Sequence, residues 1–471
     1  MTILPLHPAN NASPEALQAF LAQCRAAAVK DGHAKLVSIS LAVGALDPLA
    51  VLESIFEPGE PHFYAERPGI ESAIAGAEVA VAHDAHGAGR FAEIQRFVDD
   101  TLVHTIAVGD VEAPFGGPHF FTAFAFNDEA EAGDAFPSAR VFVPRWQVAR
   151  AGATTTAVAN LLVTADADLA LLAQRVWRAH GKFSQFRYRE SAPVEVNAGP
   201  NFSTQEAGDY RATVARALTR IAAGEFEKIV LARAIDLTLK QPLHPLRVLN
   251  GLRQLFPDCY AFSLANGRGQ SFIGASPEQL VRVSKGTLET AALAGTTARG
   301  MGASEDATLG AALLQSEKDL REHRHVVEAI ANRLTQHGLK LECAAQPGLR
   351  RLANVQHLHT PIHAVLPENV RLLDAVAWLH PTPAVGGTPV AAAVARIREL
   401  EGFSRGLYGG AIGWVNARGG GEFFVGIRSA LVDGATARVY AGAGIVAGST
   451  PEKEFAETQL KFKAMLGALC A

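Results

Sequence analysis

A strand of very small side chains, Ala441-Gly442-Ala443-Gly444 running on into Ile445-Val446, leads through a loop to a helix opened by Pro451. Proline is tolerated at a first helical position, where its missing N–H had no intrahelical acceptor to lose. Glycines inside a strand weaken it and mark a place where another group approaches the backbone closely. On the helix, Glu454, Glu457 and Lys461 fall at i, i+3 and i+7 and share one face. Any fold for this chain must set a side-chain-free strand near an acidic helical face. Alone, that face reads as solvated surface. The rest of the chain argues for more.

The wider pattern is strand-rich. Ser13-Pro14-Glu15 starts a helix predicted to run to about Val29. Lys35–Val43 alternates like a strand, and Val79–Ala82, Val103–Val108, Phe120–Phe126 and Arg140–Pro144 follow between Gly- and Asp-rich turns. Asp166–His180 reads as a helix and Ser191–Ser203 as a linker. Ser203-Thr204-Gln205-Glu206 carries the capping-box pattern and predicts a helix ending near Gly224. Ile229–Leu239 is a predicted strand, and a turn over Ala292–Thr297 follows another. Glu317–Gln336 and Val370–Leu379 are predicted helices. Tyr408–Asn416 and Glu422–Val432 flank Gly419-Gly420-Gly421 as a hairpin. The pattern is large, mixed α+β and antiparallel. Residues 1–190 form a β-rich portion and residues 200–471 carry every chemical motif.

Several function classes drop out. No G-x-G-x-x-G lies between a strand and a helix, and there is no Walker A sequence and no G-x-S-x-G elbow. With 43 basic and 47 acidic residues and no basic tract, neither nucleic acid nor a membrane surface is an expected partner. Cys24, Cys259, Cys343 and Cys470 lack zinc or redox-pair spacing, which suits a reducing cytoplasm. No apolar run reaches membrane-spanning length, and the first residues do not read as a signal peptide.

Acids and bases remain. Asp319 and Glu322 are i, i+3 on one helix with His323 beside them, and Glu454 and Glu457 repeat the spacing on another. Carboxylates without cysteine suit a hard divalent cation, Mg²⁺ above all, because it takes oxygen ligands and keeps waters for an anionic substrate. Either pair alone reads first as an exposed acidic face. Lys228 heads the apolar run Ile229-Val230-Leu231-Ala232, and Glu278 follows Gly274-Ala275-Ser276-Pro277. A lysine base needs a lowered pKa and a glutamate acid a raised one, and burial moves each in that direction.

The motifs EKIVLAR, GASPE, LAGTTARG, SEKDLREH, VQHLHT, HPTPAVGG, YGGAIGW, GIRSA, AGAGIV and PEKEFAET occur in this order between about Ser203 and Lys463. Together they closely resemble the chorismate-utilising enzymes: isochorismate and salicylate synthases, and the large subunits of anthranilate and aminodeoxychorismate synthases. The resemblance implies one large α+β fold in which antiparallel sheets sandwich helices. It implies that Lys228 activates water for attack at chorismate C2 and that Glu278 protonates the departing C4 hydroxyl. It implies Glu322 and Glu457 as Mg²⁺ ligands, with Asp319 and Glu454 nearby. Gly295, Thr296 and His357 would meet the ring carboxylate, Arg428 and Tyr408 the enolpyruvyl carboxylate. Gly442 and Gly444 would offer backbone N–H groups, and Lys461 would sit near the acids.

Within the family, a lysine at 228 resembles the water users, since the ammonia users lack it. Ala384 stands where anthranilate and salicylate synthases usually carry threonine. No glutaminase region is present, so no glutaminase subunit is expected. The implied activity is that of isochorismate synthases, Mg²⁺-dependent and reversible, in a cytoplasmic monomer. The alternatives are salicylate synthesis by further pyruvate elimination, and non-catalytic chorismate binding, against which the retained Lys228, Glu278, Glu322 and Glu457 argue.

Overall fold

Long apolar strands decide the architecture, because each must bury its faces against something else. The computed structural model of the protein describes residues 1–4, 13–184, 202–352 and 355–470. Lys228–Leu239 is buried continuously from Ile229 to Ile235 and pairs antiparallel with Thr436–Val446 along its whole length. Thr287–Ala298 pairs with Val355–Val365, Gln270–Ser276 with Ser429–Asp433, and Gln279–Ser284 with Gly421–Val425, all antiparallel. Strands from the first half extend the same sheet system: Pro61–Arg67 pairs with Tyr260–Asn266, and His119–Phe124 with Ala411–Asn416. Parallel pairing involves Thr105–Gly109, beside Thr2–Leu4 and Lys35–Val43.

Helices lie between the strand layers. Val214 (Tyr210–Ala222), Val326 (Glu317–Gln336), Val376 (Leu372–Leu379) and Ile397 (Val390–Glu401) share one apolar core with Phe120, Val281, Leu288 and Ile445 from strands. A second, aromatic core joins strand to strand through Phe121, Phe142, Phe262, Phe272 and Phe424. Pro245–Leu255 and Pro451–Leu469 cover the outer face of the strands bearing Leu237 and Val439. Pro14–Asp31 covers the strands Lys35–Val43 and Thr105–Gly109 through Leu17, Leu21 and Cys24. This is the α+β sandwich implied by the motifs. No described helix is long and apolar enough to cross a membrane.

Lys35–Val43 and Glu317–Gln336 coincide with their sequence-predicted bounds. Three local readings are corrected. Ser203–Glu206 does not open a helix. Phe202–Glu206 is a strand paired with Ile235–Leu239, and the helix begins at Tyr210, capped by Asp209 Oδ1 accepting from Ala212 N at 3.1 Å. The S-T-Q-E pattern is a local preference, and a free sheet edge offered its backbone more hydrogen bonds. Ala292–Thr297 is not a turn but part of Thr287–Ala298, bulged at Gly295. The run Glu422–Val432 breaks at Gly426–Arg428, because its two halves pair with different neighbours. The predicted linker lies, up to residue 201, outside the described residues.

Candidate active site

Lys228 opens its strand opposite Val446, so Val230 faces Gly444 and Ala232 faces Gly442. The glycines are explained by what stands over them. A Cβ at Gly444 would lie 2.9 Å from Lys228 Cε, and one at Gly442 would lie 2.7 Å from the Tyr408 hydroxyl. Both side chains therefore rest on bare backbone. Lys228 Nζ donates to Glu322 Oε1 at 3.1 Å. Its strand is bolted from behind by a buried ion pair. Glu401 Oε1 accepts from Ala232 N at 2.6 Å, and Arg405 Nη2 donates to Val230 O at 2.7 Å and to Glu401 at 2.5 Å.

Glu278 sits at the break between Gln270–Ser276 and Gln279–Ser284. Its N–H donates to Ser276 Oγ at 3.3 Å and its carbonyl accepts from Val425 N at 3.0 Å, which fixes the backbone. Burial pushes its carboxyl up to about 7, against the downward pull of a 3.3 Å hydrogen bond from Thr382 Oγ1 and of the Lys228 and Lys461 charges. Glu278, Thr382 and Ala384 line one small cavity whose other walls include Leu293, Val326 and Ile330. A carboxyl titrating near neutrality in an apolar-walled cavity is suited to proton transfer. Tyr408, stacked on Tyr440 at 5.1 Å, has its phenol raised, first by burial.

The opposite end is cationic. Arg428 occupies a left-handed backbone conformation at φ 50°, and its carbonyl accepts from Ala275 N at 3.1 Å. The strand break creates this strained position, and such strain collects at functional sites. The guanidinium rests against the Cys259 thiol, and Arg428 Nη1 is buried without a hydrogen-bond partner. His357 is held down to about 3, first by burial and then by the Arg428 charge, so its ring is neutral. Its Nδ1 meets Thr296 Oγ1 at 2.9 Å, and its buried Nε2 has no partner. Two orphaned polar atoms on electrostatically coupled residues are what an anion would satisfy. Gly295 (φ 75°) lets the Thr296 backbone bulge toward Asp319, where a Cβ would come within 3.2 Å of Asp319 Cβ.

The acids fall on two helices, as the spacing requires. Ser316 caps the first, accepting from Asp319 N at 3.3 Å and donating its hydroxyl to the Asp319 carboxylate. Thr450 caps the second. Lys461 Nζ donates at 2.8 Å both to Glu457 Oε1 and to Gly442 O, tying the acidic helix to the small-residue strand. Glu454 is pushed up, first by burial and also by the Glu457 charge. His323 points away from the acids, buried between Thr360 Oγ1 and Ala294 O. Among the described residues no three potential ligands are grouped as a metal site. The donor set nevertheless suits a hard cation. It is all carboxylate, it includes two acids that repel one another, and Glu322 and Glu457 are held by lysines that a cation would displace.

The structure thus brings Lys228, Glu322, Gly444, Gly442, Tyr408 and Lys461 along one pair of strands, with the Lys228 and Lys461 charges acting on Glu278, which shares its cavity with Thr382 and Ala384. It links Arg428, His357, Thr296, Gly295 and Asp319 in a second chain of contacts. The sequence reading did not single out Thr382, although it lies in HPTPAVGG. It missed Cys259 and the Glu401–Arg405 bolt, whose residue types give no signal until burial is known.

A family model described as "chorismate binding enzyme" matches residues 19–470. The chain is 38% identical over 442 residues to the salicylate biosynthesis isochorismate synthase of Pseudomonas aeruginosa, covering 93% of this chain and 90% of that one. It is 33% identical over 453 residues to the isochorismate synthase MenF of Bacillus subtilis, covering 93% and 94%. The structure of MenF, the menaquinone-specific isochorismate synthase from Escherichia coli, superposes with a TM-score of 0.78 at 27% identity, over 95% of this chain and 99% of that one. Anthranilate synthase component I from Streptococcus pneumoniae, at 22% identity and a TM-score of 0.68 over 84% of this chain and 92% of that one, shares the fold. With a family model matched over residues 19–470 and relatives aligned over 90% or more of their own length, the chain belongs to the family of chorismate-binding enzymes.

Proposed function

We propose that this chain is an isochorismate synthase, converting chorismate reversibly to isochorismate. The observation that supports the reading is a carboxyl, Glu278, held protonatable near neutrality, together with a lysine, Lys228, standing over bare glycine backbone. In the forward direction Lys228 takes a proton from the water that attacks C2, and Glu278 gives one to the hydroxyl leaving C4. One water is consumed and one released, so the reaction is an isomerisation. In reverse the two residues exchange roles.

Chorismate is a dianion, and two-point anchoring orients it. Arg428 and Tyr408 would hold the enolpyruvyl carboxylate, and Thr296, Gly295 and the neutral His357 would flank the ring carboxylate. Glu322 and Glu457 would hold Mg²⁺, with Asp319 and Glu454 close by. When bound, the ion supplies positive charge against the ring carboxylate. Lys461 would keep the acidic helix against Gly442. Ala384, which lines the same small cavity as Glu278, brings no hydroxyl of its own to assist pyruvate elimination. The enzyme would act as a cytoplasmic monomer without a glutaminase subunit.

Chromatography of products from chorismate, with and without Mg²⁺, tests the reading. Isochorismate in equilibrium with chorismate, and only with the metal, is expected. Salicylate with pyruvate would assign a salicylate synthase, and binding without turnover a non-catalytic protein.

A further inference from the structure

Three adjacent strands carry a row of side chains across one face. Thr296 on Thr287–Ala298 stands opposite His357 on Val355–Val365, and His357 stands opposite Arg350 on Gly348–Arg351. Directly opposed residues of antiparallel strands project to the same side of the sheet. The 2.9 Å contact between Thr296 and His357 shows the rule at work in this row. Arg350 is therefore the next side chain on the face that carries the substrate-site residues.

A second set of contacts places Arg350 independently. Its Nη2 donates to the Asp258 carbonyl at 3.3 Å, reaching the turn that carries Cys259. Cys259 in turn lies against Arg428. The charges of Arg350 and Arg428 both act on Cys259 and on His357, so the two guanidiniums flank the same ground. Charges facing this ground include Lys461, which also acts on His357, and the Asp258 carboxylate, which acts on Cys259. The neighbouring Arg351, on the other face of its strand, lies 3.8 Å from Asp306, which Arg299 also engages. Arg350 by contrast spends its hydrogen bond on a carbonyl, and a half-buried cation bonded in that way keeps its charge for an anion.

We infer that Arg350 is a further substrate-anchoring residue, a second guanidinium beside Arg428 that attracts the carboxylate at the His357 end of the site. The inference rests on the proposed chorismate chemistry and extends it, since it assigns the dianion a cation supplied by the short Gly348–Arg351 strand.

The test uses Arg350→Met, which keeps the stem and removes the charge, and Arg350→Lys, which keeps the charge and loses the planar fork. Both are assayed for kcat and KM at low and high salt, and each is titrated with chorismate by calorimetry. Arg350→Met is expected to raise KM and Kd by about tenfold, the usual scale for a hydrogen bond to a charged group, with kcat within about twofold. Its KM should also depend less on salt than the wild type's. Arg350→Lys should stay within about threefold of wild type in Kd. Wild-type KM and Kd in Arg350→Met would overturn the inference. So would equal damage in both variants with kcat falling alongside, the pattern of a loosened hairpin. If Arg350→Met does not fold, Arg350→Gln takes its place. Failure of the underlying reading shows separately, as a wild-type protein that makes no isochorismate.

Discussion

Lys228 and Glu278 make separable predictions. Lys228→Ala should lose turnover by at least about a hundredfold, the lower range for a proton-transfer group, while still binding chorismate in a calorimetric titration. Wild-type turnover in that variant would remove the base. For Glu278 the sign follows from burial. Its carboxyl titrates at about 7 in the folded chain against 4.5 ordinarily, so the acid form that the proposed forward reaction needs is lost as pH rises through 7. The forward rate should fall on that limb. Between 4.5 and 7 the unfolded chain releases this proton and the folded chain keeps it, so the group lowers stability as pH rises. At 1.36 kcal/mol per pKa unit the cost above pH 7 reaches up to about 3 kcal/mol. Glu278→Gln should therefore be inactive yet melt higher than wild type at pH 8, with the difference gone below pH 4.5. Thermal melts at the two pH values decide it.

At the scale of elements, the strand Lys228–Leu239 owes its placement to what lies on either side. Removing Glu401 from its pairing with Arg405 leaves a buried guanidinium charge and the Ala232 N–H uncompensated. Glu401→Ala should cost about 3–5 kcal/mol in a denaturant titration, and a loss under 1 kcal/mol would show the bolt to be incidental. On the other face, Gly444→Ala would drive a methyl into Lys228 Cε. That contact is with the end of a flexible side chain, so the fold should survive with a change of about 1 kcal/mol or less. The amine, however, must move, and kcat should fall by at least about tenfold.

At the scale of the molecule, two acidic helices from distant parts of the chain reach the same pair of strands, Glu322 through Lys228 and the Glu457 helix through Lys461 and Gly442. Glu322→Gln removes a carboxylate that now faces Lys228, and the Mg²⁺ concentration needed for half-maximal activity should rise by about tenfold or more. An unchanged titration would take Glu322 out of the ligand set. The first half of the chain contributes through pairing: Pro61–Arg67 and His119–Phe124 continue the strands that carry Glu278's neighbours. Arg67 reaches across to Glu422, which also accepts from the Tyr260 hydroxyl.

By itself the sequence determined the family, the fold class and most of the strong periodic elements. Glu317–Gln336 was legible because good helix formers fill it, and Lys35–Val43 because its residues alternate like a strand's. The ordered motifs identified the family and named the acids, the lysine and the glycines, since those residue types have few other reasons to recur together. Only the tertiary structure decided the rest. Ser203–Glu206 became a strand because a sheet edge offered its backbone partners, and local propensity is weaker than a ladder of hydrogen bonds. Arg428 took a left-handed backbone where one apolar run was divided between two neighbours. Thr382 on Glu278 and Cys259 against Arg428 are contacts between segments far apart in the chain, and Arg350 stands opposite His357 only through strand register; burial and register exist only once the sheet has closed.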